Sequence, residues 1–156
     1  SSAASDVYKR QVVLRVEEGE LYQMVTHSDG SKGEALTCDT GSFMKMDGQE
    51  VFKFAARQVP ACITEVVEHN HLMVEDIDYF ILHQANRRIV EAVAKRMKVE
   101  LTKFPMNLQE YGNTSSASIP LLLDEMNREG RLKKGQKLVL AGFGAGLSWG
   151  ASLLEW

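Results

Sequence analysis

Several features are scarce in this chain, and each scarcity removes a class of function. Cysteine occurs twice in 156 residues, as Cys38 and Cys62. The two form neither a CxxC pair nor a disulfide framework, so the chain reads as a cytosolic one with reduced thiols. An excess of one charge is also lacking. The formal net charge is -3, whereas a general nucleic-acid binder needs a clear basic surplus to neutralise phosphates. No apolar run approaches the roughly 18 residues that span a bilayer, and the opening residues are not expected to form a secretory leader. Internal repeats and low-complexity tracts are absent. What is present, 44% hydrophobic and 25% charged residues, is the balance of one globular domain with its own core.

The opening "SSAASDVYKRQ" is small and polar, then basic, with no periodicity that prepares the apolar "VVLRV" after it. Residues 1–10 are therefore expected to be a non-native or disordered leader, with a frayed terminus as the plainer alternative. The domain proper is expected over 11–156. Val12 to Val16 and Leu21 to His27 read as short strands, "HSDGSKGE" as a loop, and "SFMKM" as a further strand. From Gln49 the apolar period becomes helical through Val67, with Pro60 expected to kink or split the helix. Asp78 to His83 reads as a strand and Arg87 to Met97 as an amphipathic helix with Ile89, Val93 and Met97 on one stripe.

"KFPMNLQEYG" reads as extended. Thr114 or Ser115 is expected to cap a helix through "IPLLLDEMNREG" that stops at Gly130. Leucines on more than one side of that helix suggest burial between layers. "KLVLAGF" and "LSWGASLLEW" read as an antiparallel strand pair about a glycine-rich turn. Strands alternating with helices give an α/β class with a mixed sheet flanked by helices.

Three polar features stand where strands or loops end, the usual location of sites in open α/β sheets. They are His83 with Asn86, Asn113 in "YGNTSSAS", and the loop "GFGAG". Singly, each has a plain structural reading: a hydrogen-bonding histidine, a turn or cap asparagine, a tight hairpin. "GFGAG" lacks the spacing and following helix of a dinucleotide fingerprint. "EHNH", Glu68 to His71, has no further cluster to complete a metal site, and a helix C-terminus accounts for its histidines. "TSSAS" is not a GxSxG elbow, and the sequon at Asn113 has no secretory context.

Together, "HQAN", then "GNTSSAS", then "GFGAGLSWG" resemble the second half of β-ketoacyl-acyl-carrier-protein synthase III. The resemblance runs from about Val12 to Trp156, with the motifs in the family's order. It implies the C-terminal half of a thiolase-like fold, and an acyltransferase of type II fatty acid synthesis working in a bacterial cytoplasm without a cofactor or metal. Chalcone-synthase-like condensing enzymes share the His and Asn logic, but "HQAN" points to the synthase III branch. The substrates implied are acyl-CoA and malonyl-acyl-carrier-protein, joined by a decarboxylative Claisen condensation. Losing CO2 piles negative charge on the malonyl thioester oxygen, so donors must be aimed there beforehand. By resemblance these are His83 and Asn113, which donate without carrying a full charge. A second oxyanion contact, a backbone N–H, falls at Ala145, where the family often has glycine.

The resemblance also implies a pantetheine channel at Asn86, Gly48 and Phe52, although Phe52 reads equally well as core. Arg88, Lys95, Arg96 and Lys53 would steer an acidic carrier protein. A solvated face is the competing account, because Glu91 stands four residues from both Arg87 and Lys95. The family's nucleophile lies in an "ACSGF"-like context, and nothing here matches it. Cys38 reads as loop or strand, and Cys62 as a packed thiol. The expectation is thus the C-terminal half of a longer, homodimeric enzyme, inactive without its N-terminal half and exposing the face that packs on it. The alternatives are a stand-alone half, either a non-catalytic acyl-CoA or carrier-protein binder or a partner for a separately encoded first half, and a fragment of a type III polyketide-synthase-like condensing enzyme.

Overall fold

Side chains alternate across a strand, and in this chain both sets of the central strands are apolar, which requires cover on both faces of a sheet. The computed structural model describes residues 22–156. The expected leader and the Val12 to Val16 strand lie outside the described residues. In chain order come β1 (Met24–Ser28), β2 (Leu36–Thr37), β3 (Lys45–Met46), α1 (Gly48–His69), β4 (Tyr79–Leu82), α2 (Arg87–Met97), α3 (Leu108–Tyr111), α4 (Ser118–Arg128), β5 (Lys137–Gly144) and β6 (Ser148–Glu155). The four longer strands form one sheet in the order β1-β6-β5-β4. β4 runs parallel to β5, while β5–β6 and β6–β1 are antiparallel. The α/β class with a mixed sheet flanked by helices is what the structure has.

One face carries the larger core. Phe80 and Leu82 of β4, Val139 and Ala141 of β5, and Ala151 and Leu153 of β6 pack there against α1 and α2. From α1 come Ala55, Val59, Cys62, Ile63, Val66 and Val67, and from α2 Ile89, Val90, Val93 and Ala94, all buried. Phe80 also stacks on Phe104, with ring centroids 4.8 Å apart. The other face has a smaller cluster of Ile81, Leu138, Leu122, Met126 and Leu132, with Leu140, Leu154 and Trp156 only partly buried beside it.

Several expectations need correction. Pro60 does not split α1, which continues through it. The missing N–H leaves one carbonyl of the preceding turn without its donor, while Val59, Pro60 and Ile63 are all buried, so packing holds the helix together. "KFPMNLQEYG" is not simply extended: a 3₁₀ turn spans Leu101–Lys103 and α3 follows. "HSDGSKGE" holds a 3₁₀ segment, Gly30–Ala35, whose Asp29 side chain accepts from Ser31 N. "SFMKM" contributes only Lys45–Met46 to a strand.

Neither Thr114 nor Ser115 caps the helix with its side chain. Ser115 instead has φ +55°, and a 3₁₀ turn, Ser115–Ala117, leads into α4. Gly130 is the stop: at φ +68°, it lets its own N–H reach Asn127 O and that of Arg131 reach Met126 O, both at 2.9 Å. α4 is also not buried on more than one side. Ser118, Leu122 and Met126 form the single buried stripe, spaced four apart.

Candidate active site

The end of β4 delivers His83. Its backbone N–H donates to Ala141 O at 2.8 Å, extending the sheet one residue past the strand. Asn86 then starts α2, its side chain accepting from Arg88 N at 2.8 Å, the ordinary N-cap bond. Between them Gln84 is buried, and its amide donates to Leu82 O at 2.8 Å. The abrupt polar tip of an apolar strand is thus a strand-to-helix turn with the imidazole at its outer corner.

His83 Nδ1 lies 2.7 Å from Ser118 Oγ, and the same Oγ accepts from Gln84 N at 3.1 Å. Phe143 meets the ring edge-on, with centroids 5.4 Å apart. Burial holds the pKa of His83 below the ordinary imidazole value, and a hydrogen bond to the Ser115 backbone works in the opposite direction. Burial thus favours the uncharged form of the ring.

Asn113 is placed by glycine. Gly112 has φ +67° and ψ -161°, a region essentially restricted to glycine. Asn113 Oδ1 accepts from Ser115 N at 3.0 Å, so its carbonyl end is engaged and its amide end is the one left to donate. The glycine loop closes β5 on β6. The Ala145 N–H makes no hydrogen bond among the described residues. Alanine is accommodated there because the left-handed strain falls on its neighbour: Gly146 has φ +134°, and a Cβ on it would run into Ser148, whose N is 2.9 Å away. Leu147 is buried and exchanges both backbone hydrogen bonds with Asp29, at 2.8 Å each, so the 3₁₀ segment after β1 buttresses the loop.

His83 and Ala145 share a cavity of about 770 Å³. Among the described residues no Asp, Glu, Lys or Arg lines it. Its far wall holds Trp149, against which His27 packs at 5.4 Å and Phe54 edge-on at 5.2 Å. Asn113 does not line this cavity; it is exposed, and its Oδ1 accepts from the backbone of Ser115, which does line it. Gly48, Phe52 and Asn86 also lie outside it.

Phe52 is half-buried at the edge of the larger core, and Arg88 lies over its ring, 5.5 Å from the centroid. Its ring thus packs on the core on one side and against the Arg88 guanidinium on the other. Gly48 is exposed in the first turn of α1. Arg88, Lys95 and Arg96 lie on one side of α2, all exposed, and none forms an ion pair among the described residues. Glu91 pairs with Arg87 at 2.7 Å, and Lys53 pairs with Glu50 at 2.9 Å.

The two cysteines differ in setting. Cys62 is buried, and its pKa is pushed up to about 11 by burial first and then by the charge of Glu65. Cys38 is exposed, with its Sγ 3.7 Å from Ser42 O. Asn70 ends α1, its amide donating to Val66 O at 2.7 Å and Gln23 O at 3.0 Å. No group of three His, Cys, Asp or Glu that could hold a metal occurs among the described residues. No helix among them is long and apolar enough to cross a membrane. Sequence reasoning passed over Ser118, which reads as one more small residue in "TSSAS"; only the fold brings it to the imidazole.

Comparison with known proteins bears directly on this arrangement. Residues 67–156 match the family profile described as 3-oxoacyl-[acyl-carrier-protein (ACP)] synthase III C terminal. The chain is 45% identical over 159 residues to beta-ketoacyl-[acyl-carrier-protein] synthase III of Clostridium novyi, covering 93% of this chain and 49% of that protein. Against the protein of that name from Clostridium acetobutylicum it is 51% identical over 154 residues, covering 90% and 47%. The crystal structure of 3-oxoacyl-[acyl-carrier-protein] synthase III from Aquifex aeolicus superposes with a TM-score of 0.86 at 37% identity, over 91% of this chain and 46% of that one. The thiolase-like fold expected from the motifs is thus shared with solved structures. The chain spans about half the length of the curated relatives it matches.

Proposed function

Because this chain belongs to the 3-oxoacyl-[acyl-carrier-protein] synthase III family, as its C-terminal part, we propose that it is the half of a condensing enzyme that makes the enolate. On this reading residues 11–156 form one C-terminal domain that works with an N-terminal portion carrying the acyl-accepting thiol. The observation that carries it is the pair of neutral donors: a half-buried imidazole whose burial favours the uncharged form, and an asparagine whose Oδ1 is engaged by Ser115 N, leaving its amide to donate.

The chemistry assigns each group a step. The bond between the malonyl α-carbon and its carboxylate breaks, CO2 leaves, and the electron pair moves into an enolate whose charge rests on the thioester oxygen. His83 and Asn113 donate to that oxygen. The α-carbon then attacks the acyl-cysteine carbonyl, and the Ala145 N–H, which has no hydrogen-bond partner among the described residues, receives the new oxyanion. Expulsion of the thiolate completes the transfer. Asn86, Gly48 and Phe52 line the approach of the pantetheine arm, and Arg88, Lys95 and Arg96 receive an acidic carrier protein. Lys53, shared with Glu50, stands at the edge of that set. The open face of the sheet, with α4, seats the N-terminal portion, and the assembled enzyme is a cytoplasmic homodimer.

The test uses a full-length enzyme that carries these residues. His83→Ala or Asn113→Ala should lower malonyl decarboxylation by roughly 100-fold or more, while mass spectrometry still finds the acylated cysteine. Loss of acylation with decarboxylation intact would overturn the assignment.

A further inference from the structure

We propose that Ser118 is a positioning residue that fixes the ring tautomer of His83, keeping the proton on Nε2 and so making that nitrogen the donor. The inference rests on the reading of His83 as an enolate donor, but its observations are separate. Ser118 opens α4 and is 2% exposed. Its Oγ has two hydrogen-bond partners among the described residues, Gln84 N at 3.1 Å and His83 Nδ1 at 2.7 Å. A serine hydroxyl has one proton to give and two lone pairs to accept with. The Gln84 N–H can only donate, so it occupies a lone pair.

Two arrangements remain for the short contact to Nδ1. If Nδ1 carried the ring proton it would donate to Oγ or to the Ser115 backbone carbonyl, and in either case the hydroxyl's own proton would have no acceptor among the described residues. If Nδ1 is bare, Oγ donates to it, and all three groups are satisfied. The penalty for a buried unsatisfied donor favours the second arrangement by about 10-fold or more. The proton of the neutral ring then sits on Nε2. The same serine holds the Gln84 N–H, so one side chain fixes both the ring's proton and the backbone just past its root. This follows a general pattern, in which the hydrogen bond at one ring nitrogen decides what the other can do.

Nitrogen-15 NMR of the chain labelled at histidine, at a pH where His83 is neutral, reads the tautomer directly. The expected spectrum has His83 Nδ1 as a bare acceptor nitrogen and Nε2 as an N–H; a protonated Nδ1 overturns the proposal. Ser118→Ala should redistribute the proton between the two nitrogens, and Ser118→Thr, which keeps the hydroxyl, should restore it. In a full-length enzyme Ser118→Ala should lower kcat for malonyl decarboxylation by about 10-fold with little change in KM, again restored by threonine. An unchanged tautomer in Ser118→Ala also overturns the proposal. If that variant fails to fold, the spectrum of the unaltered chain still decides. The enolate reading fails separately, if His83→Ala decarboxylates normally while the tautomer still follows Ser118.

Discussion

Phe80 and Leu82 project from β4 toward one face of the sheet, Ile81 toward the other, and all three are completely buried. Their surroundings nevertheless differ. The first face lies under two helices and holds most of the buried apolar residues. The second is covered by the single stripe of Ser118, Leu122 and Met126, and leaves Leu140, Leu154 and Trp156 partly open toward β6. A face closed by its own chain supplies stability; a face left half-covered supplies a place for something else to bind. The candidate donors stand at the border. His83 ends a strand of the closed core, yet its partner Ser118 belongs to the helix on the open side.

The comparison breaks most visibly at its closed side. Phe80→Ala should cost roughly 3–5 kcal/mol, because a fully buried aromatic leaves a cavity under both helices. Equilibrium urea unfolding would measure it. The matched truncation on the open face, Leu140→Ala, should cost only about 1 kcal/mol in the chain alone, since that residue is only partly buried. A cost equal to that of Phe80→Ala would mean the two faces are equally complete. At the rim of the closed core, Asn86→Ala removes the cap of α2 and should cost about 1 kcal/mol, read as a lower urea midpoint at unchanged slope.

The smallest effect concerns pH. The His83 pKa is lowered in the folded chain by burial, so between that value and the ordinary imidazole pKa the unfolded chain binds a proton that the folded chain does not. Stability should therefore fall as pH drops through that window. Replacing His83 with glutamine should flatten the decline between pH 7 and 5, measured by thermal melts.

Much of the closed side was legible in the sequence. α2 runs from Arg87 to Met97, as its apolar stripe predicts, and the β5–β6 hairpin follows two alternating runs about glycine. These elements have strong local periodicity and buried faces that agree with it. The misreadings cluster where one long-range contact overrides local preference. Pro60 reads as a break, but burial of Val59 and Ile63 keeps the helix whole. Thr114 and Ser115 read as caps, yet Asn113 takes the Ser115 N–H and the chain turns before α4 begins. The site was legible as residue types at strand ends. That His83 and Ala145 share a cavity while Asn113 stays outside its lining was not, because that placement depends on the turn that Gly112 and Ser115 make. Ser118 stayed invisible for the same reason, its partner being 35 residues away.

Hydrogen exchange is the most direct measurement of the central claim, that the open face is where the rest of the enzyme seats. Amide exchange would be followed in this chain alone and in the full-length enzyme carrying it. The account predicts that α4 and the half-open end of β6 gain protection in the full-length enzyme, while the amides of α1 and α2 under the closed face stay as they were. Protection gained by α1 and α2 with α4 unchanged would contradict it.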